Sequence, residues 1–350
     1  MLGHGAMQAE PLSSPPMALP LLSPSARRPA ARIVVLAVAA LVLAGCGGGS
    51  PPQAASSAPS SSASSVAGGF PGWPNGPDPA AKMVPVIVSS QRVVGANRFL
   101  YALTDTSNKP IASPNLATTA RFFDLAADPA TPVAEVPGTF IWTVPDEIGL
   151  YHASVDFARA GPWGVEIVAS APGQPDRTAR AIFDVRETST TPAIGAAAPA
   201  SDTPVATDAA GIAAISTDRQ PDPAFYRTSV RQALAAGKPF VLVFATPLFC
   251  SSRTCGPTLE TVKTAVAPYG DRVETIHVEP YELQLIDGQP QPKLDAQKHF
   301  QVVPSAVEWG IPVEPYVFVV GADGKVAAMF EGAIGADELQ AALDTVVGGS

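Results

Sequence analysis

The sequence has few charged residues, and most of them are acidic. Charged residues make up 15% of the 350 residues, and 22 Lys and Arg stand against 31 Asp and Glu, for a net charge of −9. No stripe of basic residues is present that could neutralise phosphates, so we expect no nucleic-acid partner. The apolar share of 46% is large enough for buried cores, and the length suggests about two domains.

Cysteine is also scarce, since the chain contains only Cys46, Cys250 and Cys255. The first is explained by the N-terminal segment described next, which leaves one pair. A lone cysteine pair in an exported protein is typical of either a disulfide or a redox-active dithiol.

The apolar run near the N-terminus is too short for a comfortable membrane span. It covers residues 33–43, follows three arginines and suits the core of a signal peptide. The run ends in Leu43-Ala44-Gly45-Cys46, which resembles the lipobox of bacterial lipoproteins. The resemblance implies that residues 1–45 are removed and that Cys46 carries a diacylglyceryl group. The protein would then be extracytoplasmic and bound to the cell membrane through a lipid.

Two stretches are rich in small residues and proline. Residues 46–80 contain Gly, Ser, Pro and Ala with hardly a charge, and we interpret them as a flexible tether. Residues 188–217 are rich in Ala, Pro and Thr, and we predict that they form a linker with little apolar burial. The two folded regions are then residues 81–187 and 218–348.

The first folded region has about seven short apolar runs and no convincing helical stripe. Prolines and glycines separate the runs, and apolar and polar residues alternate most clearly from Tyr151 to Phe157. Seven strands in about 100 residues predict an all-β, immunoglobulin-like sandwich without a bridging disulfide. The predicted strands cover residues 84–88, 98–103, 120–125, 140–144, 149–157, 164–169 and 179–185.

Residues 149–157 and 160–165 resemble the paired "G-x-Y" and "G-x-W" strands of YtkA-like and FixH-like extracytoplasmic domains. Some of those domains occur near copper and respiratory-oxidase assembly. Only His152 and Met83 could supply ligands here, too few for a copper site. We therefore expect His152 to face solvent, and we expect Trp142 and Trp163 to pack in the core.

The second folded region mixes helical and strand patterns. Its order, βαβ followed by ββα, predicts an α/β domain with a central sheet covered by helices. Residues 283–301 are polar and contain prolines, and they predict an insertion that covers or extends the active-site face. We predict helices at residues 223–236, 257–267 and 336–347, and strands at residues 240–245, 273–278, 316–320 and 325–330.

Residues 237–246, the two cysteines after them and residues 315–326 resemble the thioredoxin-like superfamily, closest to its TlpA-like extracytoplasmic branch. The resemblance covers most of the second region. It implies that Pro315 is a cis-proline that faces the active-site thiols, so that Cys250, Cys255 and Pro315 form the catalytic group.

The spacing of the cysteines departs from the Cys-x-x-Cys of that family. In a continuous helix, residues five apart are separated by a rise of about 7.5 Å and face away from each other. A disulfide between Cys250 and Cys255 therefore needs a turn over residues 251–254, with a helix that begins near Pro257. The helix N-terminus would lower the thiol pKa, and Arg253 is expected to add to this effect.

The pattern leaves open which thiol attacks. Counted from the preceding strand, Phe249-Cys250 matches the aromatic and attacking cysteine of the family. Counted from the helix, Cys255-Gly256-Pro257 matches the motif instead, and we favour Cys250. Thioredoxins also bury an acid beneath the motif, and the strand here has none. Glu314 is a substitute, although a solvated or peptide-orienting role is favoured for it.

Together these features predict a thiol–disulfide oxidoreductase, or an inactive relative, whose partner is a protein thiol or disulfide. One alternative is a non-catalytic interaction lipoprotein with a structural disulfide. Another is copper delivery to a respiratory complex, because Sco-type copper chaperones share the fold. Those proteins carry Cys-x-x-x-Cys-Pro and a histidine just before the strand that begins here at Tyr316, and this chain has no such histidine. We therefore predict neither a metal site nor a cofactor.

Overall fold

The computed structural model describes residues 69–73 and 82–348. The predicted signal peptide, the lipidation site Cys46 and most of the predicted tether lie outside the described residues. The described residues belong to one compact unit. None of the helices they form is long and apolar enough to cross a membrane.

Seven antiparallel strands make up the first region, and all seven strands predicted from the sequence are confirmed. They are β1 Val84–Ile87, β2 Gly95–Thr104, β3 Ala117–Asp124, β4 Ala134–Val144, β5 Ile148–Phe157, β6 Gly161–Ser170 and β7 Arg177–Val185. The first part of β4 pairs with β3, and its second part pairs with β5. One sheet therefore has the order β1-β2-β5-β4, and the other has the order β4-β3-β6-β7.

Aromatic side chains fill the space between these two sheets. Phe99 and Tyr101 on β2 and Tyr151 on β5 share one core with Phe122 on β3 and Trp163 on β6. None of the five is more than 2% exposed. The rings of Phe99 and Phe122 meet edge to face, with 5.1 Å between their centroids. Because both sheets contribute to one core, the region is a β-sandwich.

The two motifs around Gly149 and Trp163 support this packing. A Cβ atom at Gly149 would lie 2.3 Å from a carbon of the Phe140 ring, so a larger residue would displace that ring. The Tyr151 hydroxyl donates to the Leu116 carbonyl at 2.9 Å. The Trp163 indole N–H donates to the Arg159 carbonyl at 3.0 Å. These residues therefore have structural roles in the sandwich.

Two side-chain positions predicted in the sandwich are wrong. Trp142 is 37% exposed near the end of β4, where its ring meets that of Phe140 edge to face. His152 does not face open solvent, because the second region covers it. Its Nδ1 lies 3.7 Å from the Glu338 carboxylate, and burial lowers the pKa of His152. This face of the sandwich is therefore an internal interface.

A four-stranded mixed sheet forms the centre of the second region. Its strands are β8 Phe240–Phe244, β9 Glu274–Val278, β12 Tyr316–Val320 and β13 Val326–Glu331, and the predicted insertion forms the hairpin β10 Leu283–Ile286 and β11 Gln289–Pro292. The helices are α1 Ala209–Ile215, α2 Val230–Ala236, α3 Cys255–Val266, α4 Pro304–Glu308 and α5 Ala336–Val347. The sheet order is β13-β12-β8-β9, with only β8 and β9 parallel.

Helices cover both faces of this sheet, which explains the continuous apolar run of β8. Val241 and Val243 lie in a core shared with α3 and α5, whereas Phe240, Leu242 and Phe244 lie in a core shared with α2 and α4. All five side chains are fully buried. A strand enclosed in this way needs apolar residues at every position. It also fixes the position of the loop that follows Phe244.

The helix predicted over residues 223–236 is interrupted. A 3₁₀ turn spans Pro223–Tyr226, and α2 begins only after Ser229. The Ser229 hydroxyl accepts from the Gln232 N–H, and the Gln232 side chain accepts from the Ser229 N–H. This reciprocal cap starts a new helix at Val230.

The linker predicted at residues 188–217 is wrong, because this segment packs against the second sheet. The Gly195 N–H donates to the Val326 carbonyl at 2.7 Å, and the Val326 N–H donates to the Ala196 carbonyl at 2.9 Å. Ile212 on α1 is 4% exposed and belongs to the core of α3 and α5. Small residues allow this close approach to the sheet. They gave the segment the composition of a linker.

Charged side chains join the sandwich to the second region. Arg98 donates to both carboxylate oxygens of Glu338, at 2.5 and 2.9 Å. The Ser90 N–H donates to the Glu331 carboxylate at 2.7 Å. A crevice of 480 Å³ lies beside these contacts, and neither of the paired cysteines lines it. The candidate chemistry is therefore at a different place, beyond the end of β8.

Candidate active site

The loop after β8 carries the cysteine pair. The Cys250 N–H donates to the Thr246 carbonyl at 3.0 Å, and the chain turns at Arg253, whose φ is 62°. Helix α3 then begins at Cys255. The predicted turn between the cysteines is confirmed. The helix begins two residues before its predicted start at Pro257, because the first turn of a helix accepts proline.

This turn brings the two sulfur atoms together. Both sulfurs and one carboxylate oxygen of Glu314 lie within 4.8 Å of one another. Cys255 is fully buried, Cys250 is partly exposed, and both are free thiols. A disulfide between them needs a further approach to about 2.0 Å. The pair therefore combines one accessible sulfur with one protected sulfur.

The surroundings of Cys250 favour its thiolate. The neighbouring Cys255 thiol acts most strongly on the Cys250 sulfur, and the Ser252 hydroxyl lies 3.1 Å from that sulfur. The backbone N–H groups of Cys255 and Thr254 also favour its charged form. These hydrogen bonds outweigh partial burial and lower the pKa of Cys250 to about 5. These contacts agree with the preference for Cys250 as the attacking thiol.

The same contacts have the opposite effect on Cys255. Its hydrogen bond to Cys250 and its burial raise the pKa of Cys255. The backbone of Thr246 partly opposes this effect. At neutral pH, the free pair therefore holds its proton on the buried sulfur.

Arg253 was predicted to help lower the thiol pKa, but it is not among the groups that lower the pKa of Cys250. Its guanidinium donates to the Glu147 carboxylate of the β4–β5 hairpin at 2.7 Å, and both side chains are largely exposed. Because Arg253 is the turn residue with positive φ, its side chain leaves the cysteines and reaches the sandwich. The neighbouring Cys255 thiol, followed by Ser252 and the backbone of residues 254 and 255, accounts for the low pKa of Cys250.

Pro315 and Glu314 lie at the start of β12, opposite the cysteines. The Glu314–Pro315 peptide bond is cis, as the resemblance implies. Glu314 is not solvated as favoured from the sequence, because it is half-buried against the two sulfurs. The Tyr281 hydroxyl donates to its carboxylate at 3.0 Å. Burial raises the pKa of Glu314 above its ordinary value, and the neighbouring Cys250 adds to the rise.

Glu279 is a second buried acid, which the sequence analysis missed. It is 4% exposed, and its Oε2 accepts from the N–H and the hydroxyl of Thr217 at 3.0 and 2.8 Å. Burial raises the pKa of Glu279 to about 7. The sequence did contain one sign that Glu279 lies near the cysteines, because Glu279 directly follows β9. Since β8 and β9 are parallel, their ends meet at the edge that carries the cysteine loop.

Aromatic residues link the insertion to the active-site loop. The ring of Phe300 lies 6.1 Å from that of Phe249, the residue before Cys250, and 5.1 Å from that of Tyr281. The predicted insertion therefore contacts the active-site face. Trp309 is fully buried between Phe244 and Phe318 and belongs to the core of the second region.

The histidines of the second region lie away from the thiols. His277 is buried between the Tyr226 hydroxyl and the Ala245 carbonyl, at 2.8 and 3.0 Å. His299 is exposed beside Asp295. Neither could complete the two-cysteine, one-histidine set of Sco-type chaperones. Among residues 69–73 and 82–348, the cluster suited to a metal ion is formed by Cys250, Cys255 and Glu314.

No protein-family model and no curated protein matches the chain. Several solved structures are similar to part of it, including the following two. A DUF4426 family protein from Pseudomonas aeruginosa shares 14% identity at a TM-score of 0.23, covering 32% of this chain and 98% of its own. The Lin-41 filamin domain shares 17% identity at a TM-score of 0.19, covering 32% of this chain and 99% of its own. The β-sandwich is established by its own strand pairing and core.

Proposed function

We propose that the protein is an extracytoplasmic, membrane-anchored thiol–disulfide oxidoreductase that acts through Cys250 and Cys255. The observation that carries this proposal is a partly exposed thiol with a pKa of about 5 beside a buried thiol. An accessible thiolate attacks disulfides at neutral pH, and a nearby second thiol resolves the mixed disulfide. A purely structural disulfide requires neither property.

The proposed fold class of the second region is thioredoxin-like. The sheet order β13-β12-β8-β9, the cysteines between β8 and α3, and the cis bond before Pro315 all support it. For the sandwich we propose the immunoglobulin-like class. Its seven antiparallel strands, with β4 shared between two sheets, support that class.

The proposed reaction has two exchange steps. The Cys250 thiolate attacks one sulfur of a client disulfide, forms a mixed disulfide and releases the other client sulfur as a thiolate. Cys255 then loses its proton and attacks the Cys250 sulfur, which releases the second client thiolate. The client gains two electrons and leaves as two thiolates, the Cys250–Cys255 pair loses two electrons, and the Cys255 proton passes to an acceptor. The reverse reaction oxidises a client dithiol.

The second step needs an acceptor for the Cys255 proton, and we assign this role to Glu314. Its carboxylate is near both sulfurs, and its raised pKa suits proton transfer near neutral pH. Glu279 lies beside Thr246, whose N–H faces the Cys255 sulfur. The negative charge of Glu279, when ionised, makes Glu314 more basic. Together the two acids replace the single buried acid of thioredoxins.

The proposed anchoring rests on the sequence alone. Cys46→Ser should prevent lipidation and release the protein from the membrane fraction. Retention of this variant in the membrane fraction would contradict the lipobox interpretation.

Trapping of a mixed disulfide tests the proposed chemistry. Cys255→Ser removes the resolving thiol, so the full chain should accumulate a disulfide-linked client that thiol reductants release. Cys250→Ser is the matched control and should trap none, because its remaining thiol is buried and protonated. If neither variant traps a partner, or if Cys250→Ser traps as much as Cys255→Ser, the proposed chemistry is wrong.

A further inference from the structure

The reduced cysteine pair and Glu314 come from three separate places in the chain and meet at one point. Cys250 follows β8, Cys255 begins α3, and Glu314 precedes β12. Their donor atoms lie within 4.8 Å of one another. In a tetrahedral zinc site with Zn–S near 2.3 Å and Zn–O near 2.0 Å, neighbouring donor atoms are roughly 3.5–3.8 Å apart. A contraction of at most about 1.3 Å would therefore bring the three atoms to ligand distances.

The contacts behind these three donors hold them in place. Tyr281 donates to the Glu314 carboxylate, and the Ser252 hydroxyl lies 3.1 Å from the Cys250 sulfur. Hydrogen bonds of this kind orient metal ligands and stabilise their anionic forms. These contacts are a second observation, separate from the distances among the three donor atoms. The cluster is therefore held by the fold, and is not a chance meeting of flexible side chains.

The charge of the cluster also favours a cation. Two thiolates and a carboxylate would bring three negative charges together when ionised. Among the described residues, no Lys or Arg forms a salt bridge with Glu314, and Arg253, the nearest in sequence to the cysteines, is engaged with Glu147. A divalent cation that binds the two thiolates and the carboxylate would displace the protons that these groups otherwise hold.

We infer that the reduced protein binds one Zn²⁺ through Cys250, Cys255 and Glu314. Three protein ligands leave a fourth position for water or a client thiolate, and the partial exposure of Cys250 keeps that position accessible. The carboxylate favours zinc over Cu⁺, which thiolates alone suffice to bind. Metal and disulfide exclude each other, because the disulfide consumes both thiolates. Bound zinc would then protect the dithiol from oxidation.

Anaerobic titration of the reduced full-length protein with Co²⁺ tests this inference, because Co²⁺ reports thiolate ligands and tetrahedral geometry in its absorption spectrum. We expect one Co²⁺ per chain, thiolate-to-cobalt charge-transfer bands, release of the cobalt by Zn²⁺, and no binding by the oxidised protein. Glu314→Gln should weaken Co²⁺ binding at least tenfold. Glu282→Gln, which changes an exposed carboxylate paired with Lys293, should bind like the unmodified protein.

Tyr281→Phe provides a second variant in case Glu314→Gln does not fold, which circular dichroism would reveal. It removes the hydrogen bond to the carboxylate and should weaken Co²⁺ binding by about tenfold. The inference is overturned if the folded reduced protein binds no Co²⁺, or if both variants bind it as tightly as the unmodified chain. Preference for Cu⁺ that is insensitive to Glu314→Gln would also overturn it. Reversible reduction of the pair, measured separately, tests the proposed oxidoreductase function whatever the metal result.

Discussion

The β-sandwich and the second region bury polar groups in different ways. In the sandwich, the buried Glu166 lies between Arg121 and Arg180, at 3.3 and 2.7 Å. In the second region, Glu279 has no cationic partner, and its Oε1 accepts no hydrogen bond from the described residues. Paired buried charges stabilise a framework, whereas unpaired ones with shifted pKa values mark sites of chemistry. The difference agrees with the proposed function, in which the sandwich supports the fold and the second region carries the chemistry.

The reactivity of the cysteines gives the largest expected effect. In the reduced protein, alkylation of Cys250 by iodoacetamide should increase as the pH rises through about 5 and should level off above about 6. At pH 6, Cys250 should react at least about 100-fold faster than Cys255, because only the thiolate is nucleophilic and Cys255 is buried and protonated. Mass spectrometry of the alkylated peptides measures both rates. A half-maximal rate near pH 8.5 would be that of an ordinary cysteine thiol. The second region would then not activate Cys250, and the difference from the sandwich would disappear.

Two isoleucines in the segment 188–217 test whether this segment belongs to the second region. Ile212→Ala should lower the free energy of unfolding by about 2–5 kcal/mol, because it leaves a cavity in the core of α3 and α5. Ile194→Ala should change it by less than about 0.5 kcal/mol, because Ile194 is 58% exposed. Urea unfolding of the full chain measures both. Equal, small effects would restore the linker interpretation.

This segment shows where composition misleads and where pattern succeeds. All seven sandwich strands and the bounds of β12 and α5 follow from local apolar periodicity and from the Gly and Pro residues between elements. The turn between Cys250 and Cys255 follows from helix geometry alone. The burial of Ile212, the pairing of Arg253 with Glu147 and the cover over His152 depend on contacts between residues far apart in the chain. No local pattern encodes such contacts.

The contrast between Glu279 and Glu166 predicts that replacing the two carboxylates has different effects on stability. The pKa of Glu279 is raised from 4.5 to about 7, so the folded protein holds an extra proton between these values and loses stability as the pH rises through them. Above pH 7 the ionised Glu279 lowers the free energy of unfolding by up to about 3 kcal/mol, and Glu279→Gln should remove this loss. The variant should therefore stabilise the protein more at pH 8 than at pH 5. Thermal unfolding at the two pH values measures this difference.

Glu166→Gln is the matched variant in the sandwich. It leaves Arg121 and Arg180 with a weaker partner and should destabilise the protein at both pH values, by about 1–3 kcal/mol. If Glu279→Gln is also destabilising by the same amount at pH 8 and pH 5, its carboxyl is an ordinary structural group. The contrast between the two regions would then fail at this position.

The two charged contacts between the regions should differ in strength. Arg98→Gln breaks a two-pronged contact whose side chains are 14% and 20% exposed, and it should cost about 1–3 kcal/mol. Arg253→Gln breaks a contact whose side chains are 62% and 59% exposed, and it should cost less than about 1 kcal/mol. Urea unfolding at low and high salt measures both costs. A larger cost for Arg253→Gln would mean that the active-site loop, and not β2, holds the sandwich in place.

Reduction of the oxidised pair in the folded protein tests the proposed chemistry most directly. The oxidised full chain would be treated with dithiothreitol at neutral pH, with free thiols counted while circular dichroism and tryptophan fluorescence report the fold. We predict that both thiols of the pair appear while the signals of the folded state persist, because Cys250 is partly exposed and its thiolate is a stable leaving group. A bond that resists reduction until the second region unfolds would contradict the oxidoreductase function and would leave a structural disulfide in its place.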